Sequence, residues 1–361
     1  MQIKRRLALQ SLKPYVPGKS LEEVDVPHAI KMASNENPMG SPLGPEDYKA
    51  IFQDSQRYPS YSKVPLLKLL SDVWDVGQEQ IILGNGSDDI LMMVALAYIN
   101  SGDTVISAKE TFSEYHFCSV LCEGEFIPIP LQEYGYDLNK IQEKISEKTR
   151  LIFISNPNNP TGTLLSKERL SAFLAQVPSH VLVILDEAYM DYVESEDHQF
   201  SKYLLQKYSN LLVLRTFSKI FGLAGFRIGY GVGHESVIQT LNMVRAPFNV
   251  NAPAMKAAGI AIQKQSFISE SKRINQKGKK YLYDALGRLG LDYIPTEANF
   301  IMIHVPQDAD RVMNKLLPLG VIVRSLSSYG YPRAIRVTIG LEDQNRRFID
   351  ALRRVLRKED S

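Results

Sequence analysis

A chain of 361 residues with 44% hydrophobic and 23% charged residues has the composition of a globular protein with more than one domain. Its 42 basic residues nearly balance its 40 acidic residues, which leaves a formal net charge of +2. Because the sequence also has no long basic run, this balance argues against nucleic acid and anionic membranes as partners.

The first 40 residues are rich in residues that break regular structure, and they predict an extended arm. Residues 1–12 combine three basic residues with a broken apolar run, which is not the pattern of a secretory signal. The longest apolar stretch, residues 90–99, is about half the length of a membrane-spanning helix. Together with the presence of only two cysteines, these features indicate a cytoplasmic protein.

From residue 81 onward, short apolar runs alternate with helical patterns, which predicts a mainly parallel α/β sheet. The predicted strands are 81–83, 104–107, 126–129, 151–155, 181–185 and 211–214. After about residue 250 the pattern changes to long helical stretches, the first over 252–289. We therefore expect three parts: an arm over 1–40 that packs with the small domain, a large domain over 41–249, and a small α+β domain over 250–361.

The two cysteines, Cys118 and Cys122, lie four residues apart in a predicted helix, with His116 nearby. A metal site needs three or four converging ligands, and the sequence offers no second cluster to complete the set. We therefore predict that these are ordinary helix residues and that the protein holds no metal.

Four motifs follow predicted strands, and the carboxyl ends of parallel strands are where α/β sheets bind ligands. The first, GNGSDD at residues 84–89, opens a helix. Its glycines allow close approach of the backbone, and the free N–H groups of a helix start favour a phosphate. A glycine-rich turn before a helix is common, so this motif alone is equally typical of an ordinary turn.

The other three motifs carry polar side chains with two possible roles. Residues 155–162, SNPNNPTG, form either a rigid loop or a ligand-binding loop. Asp186 follows an apolar run, where a carboxylate either caps a helix or pairs with a pyridinium nitrogen, and Tyr189 comes three residues later. Lys219 lies between hydroxyls and aromatic residues, where desolvation would lower its pKa and favour a Schiff base.

In this order and at these separations, the four motifs resemble fold-type I pyridoxal 5'-phosphate (PLP) enzymes of the aspartate aminotransferase superfamily. The likeness extends over nearly the whole chain. It implies an α/β fold-type I PLP-transferase, with a mainly parallel sheet in a large domain and a smaller α+β domain. It also implies PLP as the cofactor, held by Lys219 as a Schiff base.

The resemblance assigns roles to individual residues. The implied catalytic residues are Lys219, Asp186 and Tyr189, with Asp186 on the ring nitrogen and with Tyr189 and Asn159 on the phenolic oxygen of the cofactor. Phe112 stands where many relatives have a tyrosine that stacks on the ring, and a phenylalanine face can stack as well. The residues implied to bind the cofactor phosphate are Gly86, Ser87, Thr216, Ser218 and Arg227, and Asp88 is also implied to bind the cofactor.

Within the superfamily, the chain is similar to the histidinol-phosphate aminotransferase family. The segments that carry this similarity are 14–19, 34–40, 57–59, 248–251 and 336–340. Two departures are Glu110, where relatives often have proline, and Ser60, where they commonly have aspartate.

The similarity implies that Arg336 grips the carboxyl-equivalent end of the substrate, and that Tyr15, Asn37 and Arg324 also bind substrate. It implies that Tyr58 reaches the cofactor phosphate of the neighbouring subunit, and therefore a homodimer with shared active sites. The small-molecule partners would be an amino donor and a 2-oxo acid. The implied reaction converts L-histidinol phosphate and 2-oxoglutarate to imidazole acetol phosphate and L-glutamate in histidine biosynthesis.

Other reactions stay open at this point. One is transamination of aromatic amino acids, and another is PLP-dependent decarboxylation of a phosphorylated amino acid such as threonine phosphate. Binding differences of a few kcal/mol separate such substrates. A non-catalytic PLP-binding regulator would usually carry a DNA-binding domain, for which the sequence leaves no room.

Overall fold

The computed structural model describes residues 3–14, 18–60, 65–194 and 200–357. Their strands, in chain order, are Ile30–Lys31 (β1), Ile81–Gly84 (β2), Thr104–Ala108 (β3), Glu125–Ile129 (β4), Thr149–Ser155 (β5), Leu182–Asp186 (β6), Leu211–Thr216 (β7), Gly229–Gly233 (β8), Tyr293–Ile294 (β9), Phe300–His304 (β10), Val321–Ile322 (β11), Arg324–Ser325 (β12) and Ala334–Thr338 (β13). Their α-helices are Pro45–Phe52 (α1), Pro65–Trp74 (α2), Ser87–Tyr98 (α3), Ser113–Leu121 (α4), Leu138–Glu143 (α5), Lys167–Leu174 (α6), Phe200–Lys207 (α7), Glu235–Val244 (α8), Ala252–Ala261 (α9), Gln265–Arg288 (α10), Ala309–Leu316 (α11) and Glu342–Arg357 (α12).

Seven strands form the main sheet, in the order β2-β8-β7-β6-β5-β3-β4. Strands β3 to β7 are parallel to one another, whereas β8 runs antiparallel to both of its neighbours. The central strands β6 and β7 are buried along their whole length and apolar up to their last one or two residues, as expected for a sheet covered by helices on both faces. The predicted α/β class and its mainly parallel sheet are confirmed.

The order of the strands brings the sequence motifs together. Ser155 at the end of β5 pairs in register with Asp186 at the end of β6, and β7 lies next to β6. On the other side of β7, Gly229 of β8 lies between Thr216 and Gly84. A Cβ at position 229 would lie 2.6 Å from the backbone nitrogen of Ser87, so the glycine lets the start of α3 approach the sheet.

A second, smaller core surrounds an antiparallel sheet of order β12-β13-β10-β9, which packs with α10, α11 and α12. The arm joins this part of the molecule: β1 pairs in parallel with β11, and the backbone nitrogen of Thr338 donates to the carbonyl of Met32 at 2.8 Å. None of the α-helices in the described ranges is both long and apolar enough to cross a bilayer.

The helical pattern predicted over 252–289 is divided into two helices by a short break after α9. The alanine face of α9, including Ala254 and Ala258, is buried in the larger core, where α9 packs against α1 and α2. Helix α10 carries the chain on to the smaller core, where Leu282 and Leu286 are buried. The domain boundaries stay predictions, but the structure groups α9 with the larger core and not with the residues that follow it.

We expect Leu352→Ala to lower the free energy of unfolding by about 2–5 kcal/mol, because Leu352 is fully buried in the smaller core. Leu96→Ala is the matched control: Leu96 is 55% exposed on α3, and its loss should change stability by less than about 0.5 kcal/mol. Urea unfolding of both variants measures this difference. Equal losses would contradict the assignment of a core to α12.

Candidate active site

A cavity of about 410 Å³ lies at the carboxyl ends of β5, β6 and β7, and residues of both parts of the fold line it. Such a cavity is where an α/β sheet is expected to bind a ligand. The residues predicted from sequence that line it are Ser87, Asp88, Phe112, Asn159, Asp186, Tyr189, Thr216, Ser218, Lys219, Arg227, Arg324 and Arg336.

Asp186 is held at the floor of this cavity by hydrogen bonds to both carboxylate oxygens. The hydroxyl of Tyr115 donates to Oδ2 at 2.7 Å, and the backbone nitrogen of Ala188 donates to Oδ1 at 3.1 Å. Burial raises the pKa of Asp186 to about 6, although both hydrogen bonds act to lower it. The two neutral donors therefore hold the carboxylate in place, and few positive charges lie near it.

Lys219 follows β7 and reaches toward the same space. Its Nζ donates to the carbonyl oxygen of Ser34 at 3.3 Å and lies 5.6 Å from the ring centroid of Tyr189. Loss of water around this amine lowers its pKa to about 8, and the positive charge of Arg336 acts in the same direction. An amine with a lowered pKa is the form that can attack a carbonyl near neutral pH.

Tyr189 and Asn159 stand beside these two groups, each with a partner from the smaller part of the molecule or the arm. The amide of Asn35 donates to the Tyr189 hydroxyl at 3.0 Å, and burial raises the pKa of Tyr189. Oδ1 of Asn159 accepts from Nη1 of Arg336. The cavity wall is therefore assembled across the boundary between the two cores.

Arg336 is buried and faces the cavity from β13. Its Nη2 donates to the carbonyl of Ala33 at 2.9 Å, and its carbon Cζ lies 5.3 Å from the ring centroid of Phe300. Its Nε has no hydrogen-bond partner in the described chain. Arg324 is its register partner on β12 and lines the same cavity, so two positive charges face one end of it.

The opposite end of the cavity has donors suited to a phosphate. Gly86 is the N-cap of helix α3, its φ of +84° suits glycine, and it has no side chain that could cap the first N–H groups. Arg227 points there: its Nη1 lies 3.4 Å from Oγ of Ser218 and its Nη2 lies 3.3 Å from a carboxylate oxygen of Asp88. A Cβ at position 86 would lie 2.5 Å from Nη2 of Arg227, so a side chain there would displace the guanidinium. Thr216 lines the cavity next to this group.

The donor set fits PLP. A helix start, a guanidinium and hydroxyls suit its phosphate, and the buried Asp186 carboxylate suits a protonated ring nitrogen. Phe112, at the start of α4, presents an aromatic ring to the cavity. The Lys219 amine suits the aldehyde.

The predicted residues Tyr58 and Asn37 do not line the cavity. Tyr58 is 82% exposed and stacks on Phe248, with the ring centroids 4.5 Å apart. Tyr15 lies outside the described residues. Asn37 does not line the cavity, because its amide donates to the Ile220 carbonyl and to the Ser271 hydroxyl, each at 2.8 Å. The structure thus gives Asn37 a tethering contact with the loop that carries Lys219 (the lysine loop), and its role in substrate binding stays a prediction.

The sequence reasoning missed some residues that the structure places at the site. Asn35 and Glu36, which directly precede Asn37 in the sequence, line the cavity. Tyr329, in the segment after β12, also lines it. Tyr115, which donates to Asp186, comes three residues after Phe112, a helical spacing that was a usable signal.

The fold and the site together define a PLP-dependent enzyme of fold type I. Residues 23–352 match the family described as aminotransferase class I and II, and the chain belongs to that family. It is therefore a PLP-dependent aminotransferase.

Individual relatives agree with this assignment. Histidinol-phosphate aminotransferase from Moorella thermoacetica is 46% identical over 361 residues, which cover 98% of this chain and 93% of the relative. Histidinol-phosphate aminotransferase 1 from Nitrosococcus oceani is 44% identical, covering 96% and 95%. The solved structure of histidinol-phosphate aminotransferase from Sinorhizobium meliloti in complex with PLP has a TM-score of 0.88 at 24% identity, covering 99% and 98%, which shows the shared fold.

We expect the Lys219 amine of the cofactor-free protein to become reactive as the pH rises through about 8, because its lowered pKa leaves the uncharged form dominant above that value. Competitive acetylation followed by peptide mass spectrometry measures this midpoint, with the exposed Lys148 as the internal reference for the reagent. A midpoint above pH 10 would show that the amine is not desolvated.

Proposed function

We propose that this enzyme transfers the amino group of L-histidinol phosphate to 2-oxoglutarate, which yields imidazole acetol phosphate and L-glutamate in histidine biosynthesis. The observation that carries the proposal is the buried guanidinium of Arg336, which faces the cavity without a carboxylate partner among the described residues. A buried cation without a counter-ion is costly, so the site favours an anionic ligand.

Arg215 shows how this protein otherwise treats a buried arginine. Its guanidinium lies 2.7 Å from a carboxylate oxygen of Glu187 and 3.1 Å from one of Asp191, and it stays inside the larger core. Arg336 has no such pair within the part of the chain that the structure describes, and Arg324 adds a second positive charge beside it. Guanidinium groups bind phosphates and carboxylates with matching geometry, so one site suits both the phosphate of the amino donor and a carboxylate of the 2-oxo acid.

The relatives support the choice of substrate. The two described above carry the name histidinol-phosphate aminotransferase, and their similarity covers nearly the full length of both chains. The cysteines Cys118 and Cys122 are free thiols, which suits a reducing compartment. We therefore place the reaction in the cytoplasm.

Each residue of the site has a role in this proposal. PLP, when bound, would supply a covalent link to the substrate amine and a ring that accepts electrons from the substrate Cα. The amine of Lys219 would take the proton from Cα as a general base and return it to C4' as a general acid. Asp186 would keep the ring nitrogen protonated, while Tyr189 and Asn159 would hold the phenolic oxygen. Arg227 and the start of α3 bind the phosphate.

We also propose a homodimer with shared active sites. Tyr58 and Phe248 form a stacked pair of exposed aromatic rings, an unusual feature for a surface that faces only water. A mainly apolar groove of about 440 Å³ lies beside them, between α1, α2 and α9. A second copy covering this surface would bury the rings, and it would bring Tyr58 to the cofactor phosphate of its neighbour.

We expect kcat/KM to be higher for L-histidinol phosphate than for phenylalanine, L-histidinol or threonine phosphate, each tested with 2-oxoglutarate. Arg336→Gln should reduce kcat/KM by about 10- to 100-fold for L-histidinol phosphate, and by a similar factor for glutamate in the reverse direction. The reason is that each of these substrates would lose hydrogen bonds from a charged guanidinium to its own anionic group. Arg333→Gln, on the exposed approach to β13, is the matched control.

The products of the same assays separate the alternatives. Preference for phenylalanine would favour an aromatic aminotransferase. Release of CO₂ from threonine phosphate without any 2-oxo acid would favour a decarboxylase. An unchanged substrate preference in Arg336→Gln would remove that arginine from substrate binding.

We expect Tyr58→Phe to weaken PLP retention, because a hydrogen bond to a charged phosphate contributes about 1.5–3 kcal/mol. Hybrid dimers of a Tyr58→Phe chain with a Lys219→Ala chain test where the hydroxyl acts. Their single lysine-containing site lies in the Tyr58→Phe chain and receives an intact Tyr58 from the partner. PLP affinity should therefore match that of the wild type, whereas a weakened site would place Tyr58 in the pocket of its own chain.

A further inference from the structure

The hydroxyl of Tyr115 makes a contact to which the reaction scheme above gives no role. It donates to Oδ2 of Asp186 at 2.7 Å, and Tyr115 is fully buried. Two contacts fix the side chain: its ring stacks on Phe153 with the centroids 4.9 Å apart and the planes 1° apart, and it meets Phe112 edge to face at 5.7 Å. The hydroxyl therefore has a defined position and a defined acceptor.

We propose that Tyr115 is a positioning residue, which orients the Asp186 carboxylate toward the ring nitrogen of PLP through this hydrogen bond. The backbone nitrogen of Ala188 occupies one position on Oδ1, and Tyr115 occupies one on Oδ2. Each carboxylate oxygen has two lone pairs, so acceptor sites stay free for a protonated ring nitrogen. Without Tyr115, only the bond from Ala188 would restrain rotation of the carboxylate.

The same bond keeps the carboxylate ionised. Burial raises the pKa of Asp186 to about 6, and the hydrogen bond from Tyr115 is the main effect that opposes this rise. Asp88 also raises the pKa and Lys219 lowers it, while Tyr136 and Tyr189 are the other titratable groups that face it. Removing the phenol should therefore raise the pKa of Asp186 further, so that more of it is neutral at a given pH.

The same segment of the chain positions both the aromatic ring of Phe112 and the charged carboxylate of Asp186. Phe112 and Tyr115 lie three residues apart at the start of α4, so one helical turn carries both the aromatic ring that lines the cavity and the hydroxyl that holds Asp186. A shift of this turn would displace two contacts to the cofactor ring together.

The test compares PLP with 1-deaza-PLP, in which a CH group replaces the ring nitrogen. Full-length protein is stripped of cofactor, and the dissociation constant for each probe is measured by equilibrium dialysis. In Tyr115→Phe we expect about tenfold weaker binding of PLP and a change of less than about twofold for 1-deaza-PLP, because only PLP has the nitrogen that Asp186 contacts. Equal weakening of both probes, or no weakening of either, would overturn the proposal.

Two further variants serve as references. Tyr136→Phe removes an equally buried hydroxyl, which accepts from the backbone nitrogen of Ser155 at 2.9 Å and makes no hydrogen bond to Asp186. It should leave the preference for PLP over 1-deaza-PLP unchanged. In an Asp186→Asn background, Tyr115→Phe should have no additional effect on that preference. An additional loss of about the same size in that background would show that Tyr115 does not act through Asp186.

The pH dependence gives a second readout. The preference for PLP over 1-deaza-PLP should fall as the pH drops through the pKa of Asp186, and this fall should occur at higher pH in Tyr115→Phe. If that variant does not fold, difluorotyrosine at position 115 replaces it: its more acidic phenol is a stronger donor and should move the fall to lower pH. If the preference for PLP over 1-deaza-PLP falls at the same pH in the variant as in the wild type, the hydrogen bond does not have the proposed role.

The inference rests on the placement of PLP proposed above, and the wild-type protein tests that placement separately. If the wild type binds PLP and 1-deaza-PLP equally well, Asp186 does not contact the ring nitrogen and the proposed placement fails. If the wild type prefers PLP and Tyr115→Phe keeps the full preference, only the role of Tyr115 fails.

Discussion

Hydrogen bonding between the parallel strands β5, β6 and β7 sets the positions of Asp186 and Lys219 in the cavity. Register places Ser155 beside Asp186, and the chain that leaves β7 brings Lys219 over the same edge. Parallel sheets are normally buried on both faces. Polar side chains of these strands can therefore meet at the carboxyl ends of the strands, where α/β sheets bind ligands. The chemistry of the site depends on this one geometric constraint.

Without ligands, the charged groups that line the cavity are not fully compensated by other groups of the protein. The amine of Lys219 has a lowered pKa and the carboxylate of Asp186 has a raised one, in both cases chiefly because burial disfavours the charged form. Arg336 adds a guanidinium without a counter-ion among the described residues. A cofactor with a cationic ring and an anionic phosphate, and substrates with anionic groups, would offset these costs. The ligands thus stabilise the folded site by completing its electrostatics.

Much of this could be predicted from the sequence, because the informative residues lie next to strong local patterns. The six predicted strands match the observed ones to within two residues at either end, and the motifs at their ends converge as expected. Strand β8 was missed because three of the five residues in its sequence, GYGVG, are glycines, which are depleted in strands. Its glycines are explained only by close packing against other strands and the start of α3.

The contacts that the sequence did not reveal join distant parts of the chain. Tyr115 meets Asp186 across 71 positions, and Asn35 meets Tyr189 across 154. Asn37 has the same residue type as Asn35 and lies two positions away, but its amide turns toward the lysine loop. No local pattern distinguishes two asparagines whose roles are set by folding of the arm.

The arm is held between the two cores, and this has a consequence for how the enzyme matures. Thr338 on β13 accepts from the backbone of Asn35 at 2.9 Å, and Asn35 in turn donates to Tyr189 in the large sheet. The wall that surrounds Lys219 is therefore complete only after the ribosome has added residue 338 and β13 has docked. A nascent chain that has folded only its large sheet would lack this wall, so stable retention of the cofactor is expected to be a late event in the synthesis of each molecule.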